Sequence, residues 1–259
     1  MLMLLKGVYW ASLVVSILLG LLFRFQAYYA DSMTLITNVL APSMAGVAVF
    51  SAIIALRRYW ESWTSRLSKI WISFTLGMMF WFLGEITWAI YVLILNVEIP
   101  YPSIADAFWL IGYFPLFIAI DLYVRLFRPA LFKKMYFFWA VAVSVVSIGL
   151  FAILAPPIIL AEDDILTLSI SLAYPALDLI LFSEAILGFL IFTVTRLKGK
   201  IGWAWLLINT GIVMNVIGDM LFSQATSQGT YFNGHPLDLF FYWGYILFAL
   251  AFYTHMKEL

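Results

Sequence analysis

Long apolar stretches of about 20 residues follow one another along the whole chain, separated by short polar segments. Such a stretch crosses a bilayer as a helix, because a backbone in lipid must satisfy its own hydrogen bonds. The pattern predicts an all-α polytopic membrane protein with both faces of each helix apolar. Eight transmembrane helices are expected at about 7–28, 33–56, 70–95, 104–124, 135–155, 165–195, 202–223 and 236–256.

Composition agrees with this pattern and excludes several classes of protein. The 259-residue chain is 65% hydrophobic and 11% charged, whereas a soluble domain is about 25% charged. No loop is long enough for a soluble domain, so 1–259 is predicted to be a single membrane domain. The absence of cysteine removes disulfides and thiolate metal sites. We therefore expect no metal and no cofactor, and a chain without a basic soluble surface is not expected to bind nucleic acid.

The distribution of basic residues predicts the orientation in the cell membrane. Thirteen of the 14 lysines and arginines fall on one side of an eight-span arrangement, and only Arg24 falls on the other. By the positive-inside rule both termini are expected in the cytoplasm. The thirteen are Lys6, Arg57, Arg58, Arg66, Lys69, Arg125, Arg128, Lys133, Lys134, Arg196, Lys198, Lys200 and Lys257.

Several polar and proline positions recur 132 to 134 residues later in the chain. The recurring pairs are Pro42 and Pro175, Glu85 and Asp219, Asp106 and Asp238, and Tyr113 and Tyr245. They predict two parallel four-helix repeats, at about 1–128 and 129–259, related by a pseudo-twofold axis along the membrane normal. The first span then has a counterpart in the fifth, so we interpret it as structure rather than as a signal peptide.

Two prolines lie inside predicted spans and predict bends. Pro42 lies in the second span and Pro175 in the sixth. Proline removes a backbone donor and clashes with the preceding turn, so a kink or break is expected at each.

Five carboxylates belong to the predicted outer half of the bundle, where only Arg24 could oppose them. A charged carboxylate near mid-bilayer costs about 2.5–3.5 kcal/mol, so each must be protonated, paired or exposed to water. Such acids are the first candidates for a functional site. They are Glu85, Asp106, Asp178, Asp219 and Asp238.

Three of these acids also have structural interpretations. Asp106 stands three residues after Ser103, which is the spacing of a capping box. Asp238 follows Pro236 by two and suits the third position of a helix. Asp178 follows Pro175 by three and could begin a new segment after a kink. These interpretations do not exclude contact with a ligand.

Glu85 and Asp219 are harder to explain as caps, because they lie late in apolar helices. Asn215, one turn before Asp219, can hydrogen-bond it, and Trp88 stands one turn after Glu85. We predict a polar pocket lined by these groups. The alternative is that each acid is neutral and bonded to a neighbouring helix.

Aromatic residues complete the predicted pocket. Trp88, Tyr113 and Tyr245 are expected as its walls, since acids among aromatic rings suit a cation. Tyrosine and tryptophan also collect at membrane interfaces for general reasons, so a packing role remains open.

The segments 84–91 and 101–113, GEITWAIY and YPSIADAFWLIGY, resemble a recurrent prokaryotic membrane module, and so do AYPALD at 173–178 and DLFFYWGY at 238–245. That module is the eight-helix N-terminal sensory region of diguanylate cyclases, phosphodiesterases and sensor histidine kinases. The resemblance implies a sensory input. This chain ends at Leu259, soon after its last span, so a separate signalling protein or a second copy of the chain is expected as partner.

The favoured hypothesis is a sensor-like module that binds a small ligand, a cation or protons in an outward-opening acidic and aromatic pocket between the repeats. A cation- or proton-coupled transporter or channel is the alternative, since repeats, kinked helices and intramembrane acids fit it equally. A lipid-modifying enzyme is less favoured, because the chain has no recognised catalytic motif and no catalytic residue is assigned.

Overall fold

A computed structural model describes residues 2–59, 62–97, 99–127, 131–160, 164–195 and 200–258. These residues form eight long helices, and no strand occurs among them. The helices are α1 (Leu2–Arg24), α2 (Ala30–Leu56), α3 (Arg66–Ala89), α4 (Ile104–Phe127), α5 (Lys133–Leu160), α6 (Ile165–Thr195), α7 (Lys200–Ser227) and α8 (Leu239–Glu258).

The all-α class and the eight predicted spans are confirmed. Each of the eight contains an apolar stretch long enough to cross a membrane. Their apolar side chains are also widely exposed on the outside of the bundle, as lipid-facing surfaces are. The multi-pass assignment rests on these two observations.

The helices differ in how deeply they are buried. In the span that contains α8, 61% of the apolar stretch is buried, against 6% for α5 and 11% for α1. α8 packs against α7, α2 and α1, and α3 packs against α4 and α2. The core of the bundle therefore lies between α3, α4, α7 and α8, with α1 and α5 at the periphery.

Neither proline of the predicted bends breaks its helix. α2 continues through Pro42 and α6 continues through Pro175, and α4 also contains Pro115. Asp178 consequently lies in the interior of α6 and does not begin a new segment. Its role as a helix start, one of the interpretations offered by the sequence, is wrong.

The C-terminal end of α3 changes from α-helical to π-helical geometry before the chain turns back. A π-helical turn, Ile90–Leu95, extends α3, and Asn96 then adopts a left-handed conformation with φ of 50°. Such a residue is a common helix terminator. The chain then reaches the start of α4, so α3 and α4 form an antiparallel pair.

We name the α3–α4 pair the first hairpin and the α7–α8 pair the second hairpin. A Cβ on Gly112 would lie 2.5 Å from Trp81 and 3.2 Å from the Gly77 carbonyl oxygen. A Cβ on Gly211 would lie 2.7 Å from Phe248. Glycine at these contacts lets the two helices of each hairpin approach closely, so each hairpin is a tightly packed unit.

The two hairpins meet through aromatic rings at the end of the bundle that carries the loop from α2 to α3. Trp71 of α3 stacks on His255 of α8 with ring centroids 4.0 Å apart, and Tyr123 of α4 stacks on Trp205 of α7 at 3.5 Å. The two tryptophan rings lie 5.6 Å apart. Tyr59 adds a hydrogen bond of 2.7 Å to Nε2 of His255.

The described basic residues other than Arg24 mark this same end, which we name the basic end. Arg57, Arg66, Arg125, Lys133 and Lys257 lie at helix ends there. The predicted boundary between the repeats, near residue 128, lies outside the described residues, as do Arg196 and Lys198. The repeats and the cytoplasmic side of the termini stay predictions.

Candidate functional site

All five predicted carboxylates lie toward the opposite end of the bundle, which we name the acidic end. Helix direction places them there. Two of the acids lie late in α3 and α7, which run toward that end. Of the other three, one lies early in α4, one lies within α6 and one lies just before α8. Each has a tyrosine hydroxyl within hydrogen-bond distance. The tyrosine in every case comes from another helix or from a loop.

Glu85 joins the two hairpins through Tyr245. The Tyr245 hydroxyl on α8 donates a hydrogen bond of 2.8 Å to Oε1 of Glu85 on α3. Tyr245 is buried and Glu85 is partly buried. The bond gives the Glu85 carboxyl group a partner on the other hairpin.

Tyr113 of the first hairpin makes the corresponding contact with an acid of the second hairpin. Its hydroxyl on α4 lies 2.9 Å from Oδ2 of Asp219 on α7. The same hydroxyl lies 2.6 Å from Oδ1 of Asp178, which is only 2% exposed in the interior of α6. The carboxyl groups of Asp178 and Asp219 thus meet at the same hydroxyl. Three helices are therefore joined around one hydroxyl group.

Asp106 combines a cap with a contact between helices. Its Oδ2 accepts hydrogen bonds from the Ser103 backbone N–H and hydroxyl, both at 2.7 Å. This confirms the predicted capping role at the start of α4. Oδ1 of Asp106 accepts a 2.9 Å bond from the Tyr174 hydroxyl of α6, so the same carboxylate also ties α4 to α6.

Asp238 closes the short turn that leads into α8. Pro236 is the first residue of that turn, and Nδ1 of His235 accepts the Leu237 N–H at 3.3 Å, which caps it. The predicted helix-start position of Asp238 is thus confirmed. Its Oδ1 lies 3.4 Å from the Tyr231 hydroxyl.

Two titratable groups of this loop lie outside the spans and show the effect of burial. Burial, together with the negative charge of Asp238, raises the pKa of Tyr231 well above its usual value, so the hydroxyl remains a donor. Burial lowers the pKa of His235, so its imidazole remains neutral at physiological pH.

No lysine or arginine contacts the five carboxylates within the described chain. Their hydrogen-bond partners are tyrosine and serine hydroxyls and the Ser103 backbone N–H. The described ion pair lies elsewhere: Nε of Arg125 is 2.7 Å from Oδ2 of Asp121 on α4, four residues earlier. Arg24 lies against the ring of Phe25. The acidic end therefore carries unbalanced carboxylates.

Two predicted lining residues occupy positions beside this network. The ring of Trp88 lies 5.7 Å from that of Trp109 and 6.5 Å from that of Phe222. The Asn215 side chain donates its N–H to the Gly211 carbonyl at 2.9 Å, one turn back on its own helix. The predicted bond from Asn215 to Asp219 gives way to this local one.

A groove of about 420 Å³ opens at the acidic end, between the end of α7 and the start of α8. None of the five carboxylates is among its lining residues, which are Leu221, Gln224, Ala225, Gln228, Thr230, His235, Pro236, Leu237 and Phe240. Within the described ranges, no three or more acidic or histidine side chains converge as they would around a metal ion.

Sequence reasoning missed the partners Tyr174 and Tyr231. Tyr174 stands immediately before Pro175, four residues from Asp178, so its side chain shares a helix face with that acid. This spacing could have indicated it. Tyr231 lies in a loop with no periodic signal, so nothing in the sequence pointed to its contact with Asp238.

The chain was compared with protein-family models, with curated proteins and with solved structures, and none of the three comparisons found a match.

Proposed function

We propose that this protein is a sensor-like membrane module that binds protons or a small cation among the carboxylates and tyrosines between its two hairpins. The observation that carries the proposal is the reciprocal pair of contacts. Tyr245 of the second hairpin bonds Glu85 of the first, and Tyr113 of the first hairpin contacts Asp219 of the second. The charge of both acids thus acts on the interface between the hairpins.

The reciprocal contacts also support two parallel repeats. Tyr113 and Tyr245 are 132 residues apart, and Glu85 and Asp219 are 134 apart. A pseudo-twofold axis exchanges the members of each pair and so generates one contact from the other. Trp71 and Trp205, also 134 apart, lie near each other as residues beside such an axis would.

The ligand class follows from charge and space. Several carboxylates without a basic partner favour a positively charged occupant. The acids are hydrogen-bonded to tyrosines and do not line the groove of about 420 Å³, so the occupant is small. Protons and monovalent cations fit these conditions better than a bulky organic ammonium.

The hairpins provide a route from the acidic end to the basic end. Each hairpin is tightly packed at its glycines, so a change of spacing at Glu85 and Asp219 moves it as a unit. The ring stacks of His255 and Tyr123 would then change at the basic end. Because the described lysines and arginines other than Arg24 lie there, we place that end and both termini in the cytoplasm, where a partner protein or a second copy would respond.

Thermal unfolding of the purified protein tests this proposal. Titration with Na⁺, K⁺ and protons should raise Tm, since a ligand at about 100 times its Kd adds about 2.7 kcal/mol. The double variant Glu85→Gln, Asp219→Asn should lose the shift. Asp121→Asn, which removes a carboxylate at the other end, should keep it. An unchanged shift in a folded double variant would refute the site.

Transport by the same site is the alternative, and one observation favours it. Asp178 is a buried acid within α6, a helix that also contains Pro175, as transporter sites often do. Flux of H⁺ or Na⁺ into liposomes that is lost in Asp178→Asn would establish transport. Absence of flux with an intact Tm response would favour sensing.

A further inference from the structure

The two aspartates that contact the Tyr113 hydroxyl indicate which ligand the site binds. Three oxygen atoms converge there: Oη of Tyr113, Oδ1 of Asp178 at 2.6 Å and Oδ2 of Asp219 at 2.9 Å from it. One hydroxyl oxygen therefore makes two short contacts to carboxyl oxygens. Short O···O contacts of this kind each need a hydrogen between the oxygens.

The single hydrogen of the Tyr113 hydroxyl is too few for the contacts that this hydroxyl makes. A tyrosine hydroxyl carries one hydrogen, and an ionised carboxylate carries none. If both aspartates were ionised, one hydrogen would serve two contacts, and two negative charges would meet at one hydroxyl with no basic residue of the described chain beside them. One added proton supplies a second hydrogen and leaves one negative charge. Two carboxyl groups that share a proton are an established arrangement in proteins.

The neighbouring side chains do not supply the missing hydrogen to Asp178 and Asp219. Glu85 is bonded to Tyr245, and the Tyr174 hydroxyl is bonded to Asp106, so neither of these neighbouring acids nor their tyrosines supplies a hydrogen to the pair. Asp178 has Ala45 at the equivalent position of the first half, 133 residues earlier. The counterpart of Asp178 is thus absent from the first half, where Tyr245 donates its hydrogen bond to Glu85.

We propose that Asp178 and Asp219 share one bound proton at the Tyr113 hydroxyl, and that this proton is the ligand the module exchanges. Release of the proton leaves two carboxylates at one hydroxyl, and their mutual repulsion forces α6 and α7 apart unless a monovalent cation replaces the proton. The inference rests on the proposed function and names its ligand.

Infrared spectroscopy of the protein labelled with ¹³C-aspartate in lipid tests the proposal. The C=O stretch of a protonated aspartic acid should be present at neutral pH and should disappear in Asp178→Asn and in Asp219→Asn. Asp121→Asn is the matched control, because its carboxylate pairs with Arg125, and the band should persist. A wild-type spectrum without the band, or a band that survives both variants, would overturn the proposal.

A conservative variant guards against loss of folding in these aspartate variants. Tyr113→Phe keeps the ring and removes the hydroxyl, so the band should remain and shift in frequency. An unshifted band would place the proton elsewhere and overturn the proposal. If the band is absent while a Na⁺-dependent rise in Tm depends on Glu85 and Asp219, the proposed function stands and only the shared proton is refuted.

Discussion

The Tyr245 hydroxyl of α8 donates a 2.8 Å hydrogen bond to Glu85 of α3, 160 residues away in sequence, and so joins the two hairpins. Tyr113 makes the equivalent connection to Asp219. These two contacts turn intramembrane acids into groups that hold the bundle together. Both acids therefore have a structural role in joining the hairpins.

Removal of either tyrosine hydroxyl should destabilise the bundle. Tyr245→Phe leaves Glu85 without its donor, and loss of a partner for a buried polar group costs about 1–3 kcal/mol. Tyr113→Phe should have a comparable or larger effect, because it affects two carboxylates. Thermal unfolding in detergent measures both. Tyr28→Phe is the control, because Tyr28 is 86% exposed, and a Tm loss of equal size there would contradict the prediction.

Gly112→Ala should loosen the first hairpin. The added Cβ would lie 2.5 Å from Trp81, whose ring is fixed between Tyr113 and Phe248. Overpacking of this kind costs about 1–3 kcal/mol. Gly20→Ala is the control, since no atom lies within 4 Å of its Cβ and alanine favours a helix there. Equal Tm values for the two variants would show that the hairpin is less tightly packed than the contacts imply.

The start of α6 should respond to acid through Asp164. Hydrogen bonds from the Thr167 N–H and hydroxyl and from the Leu166 N–H lower the pKa of Asp164 from its usual 3.8. The folded state thus gains stability from this carboxylate above its usual pKa and loses it as pH falls through the lowered value. Hydrogen exchange should show fraying of the first turn of α6 in acid.

Two variants separate the charge of Asp164 from its capping role. Asp164→Asn keeps an acceptor oxygen, so the first turn of α6 should stay protected at neutral pH without a response to acid. Asp164→Ala should expose that turn at every pH. Identical exchange in wild type and Asp164→Ala would show that this cap does not hold the helix start.

Cysteine labelling should report the orientation, because the chain has no native cysteine. Ser227→Cys lies at the exposed acidic end and Thr64→Cys at the exposed basic end. A membrane-impermeant maleimide should label the first in intact cells and the second only after permeabilisation. The reverse pattern would place the carboxylates in the cytoplasm and exclude sensing of external ions by this site.

The sequence was sufficient for the helices and for the set of acids, since hydrophobic length and isolated carboxylates are local signals. The Ser103–Asp106 cap and the Asp121–Arg125 pair were also predictable from spacing. The continuity of α6 through Pro175 was not, because neighbouring helices can support a proline in a span.

The long-range tyrosine partners could not be predicted from one chain. The contact of Tyr245 with Glu85 depends on how two hairpins are apposed, and no local period records this. For Asn215, spacing along the helix allowed a partner four residues away on either side. Its amide donates to the Gly211 carbonyl and not to Asp219.

Electron–electron distance measurement between the hairpins tests most directly whether the carboxylates control their spacing. Spin labels at Lys69→Cys and Trp203→Cys, both exposed near the basic end, report α3 against α7 in lipid nanodiscs. The distance distribution should change between about pH 5 and about pH 8, two values that lie on either side of physiological pH. The change should vanish in Glu85→Gln, Asp219→Asn. A distribution identical at both pH values in the folded wild-type background would contradict control of the hairpins by these acids.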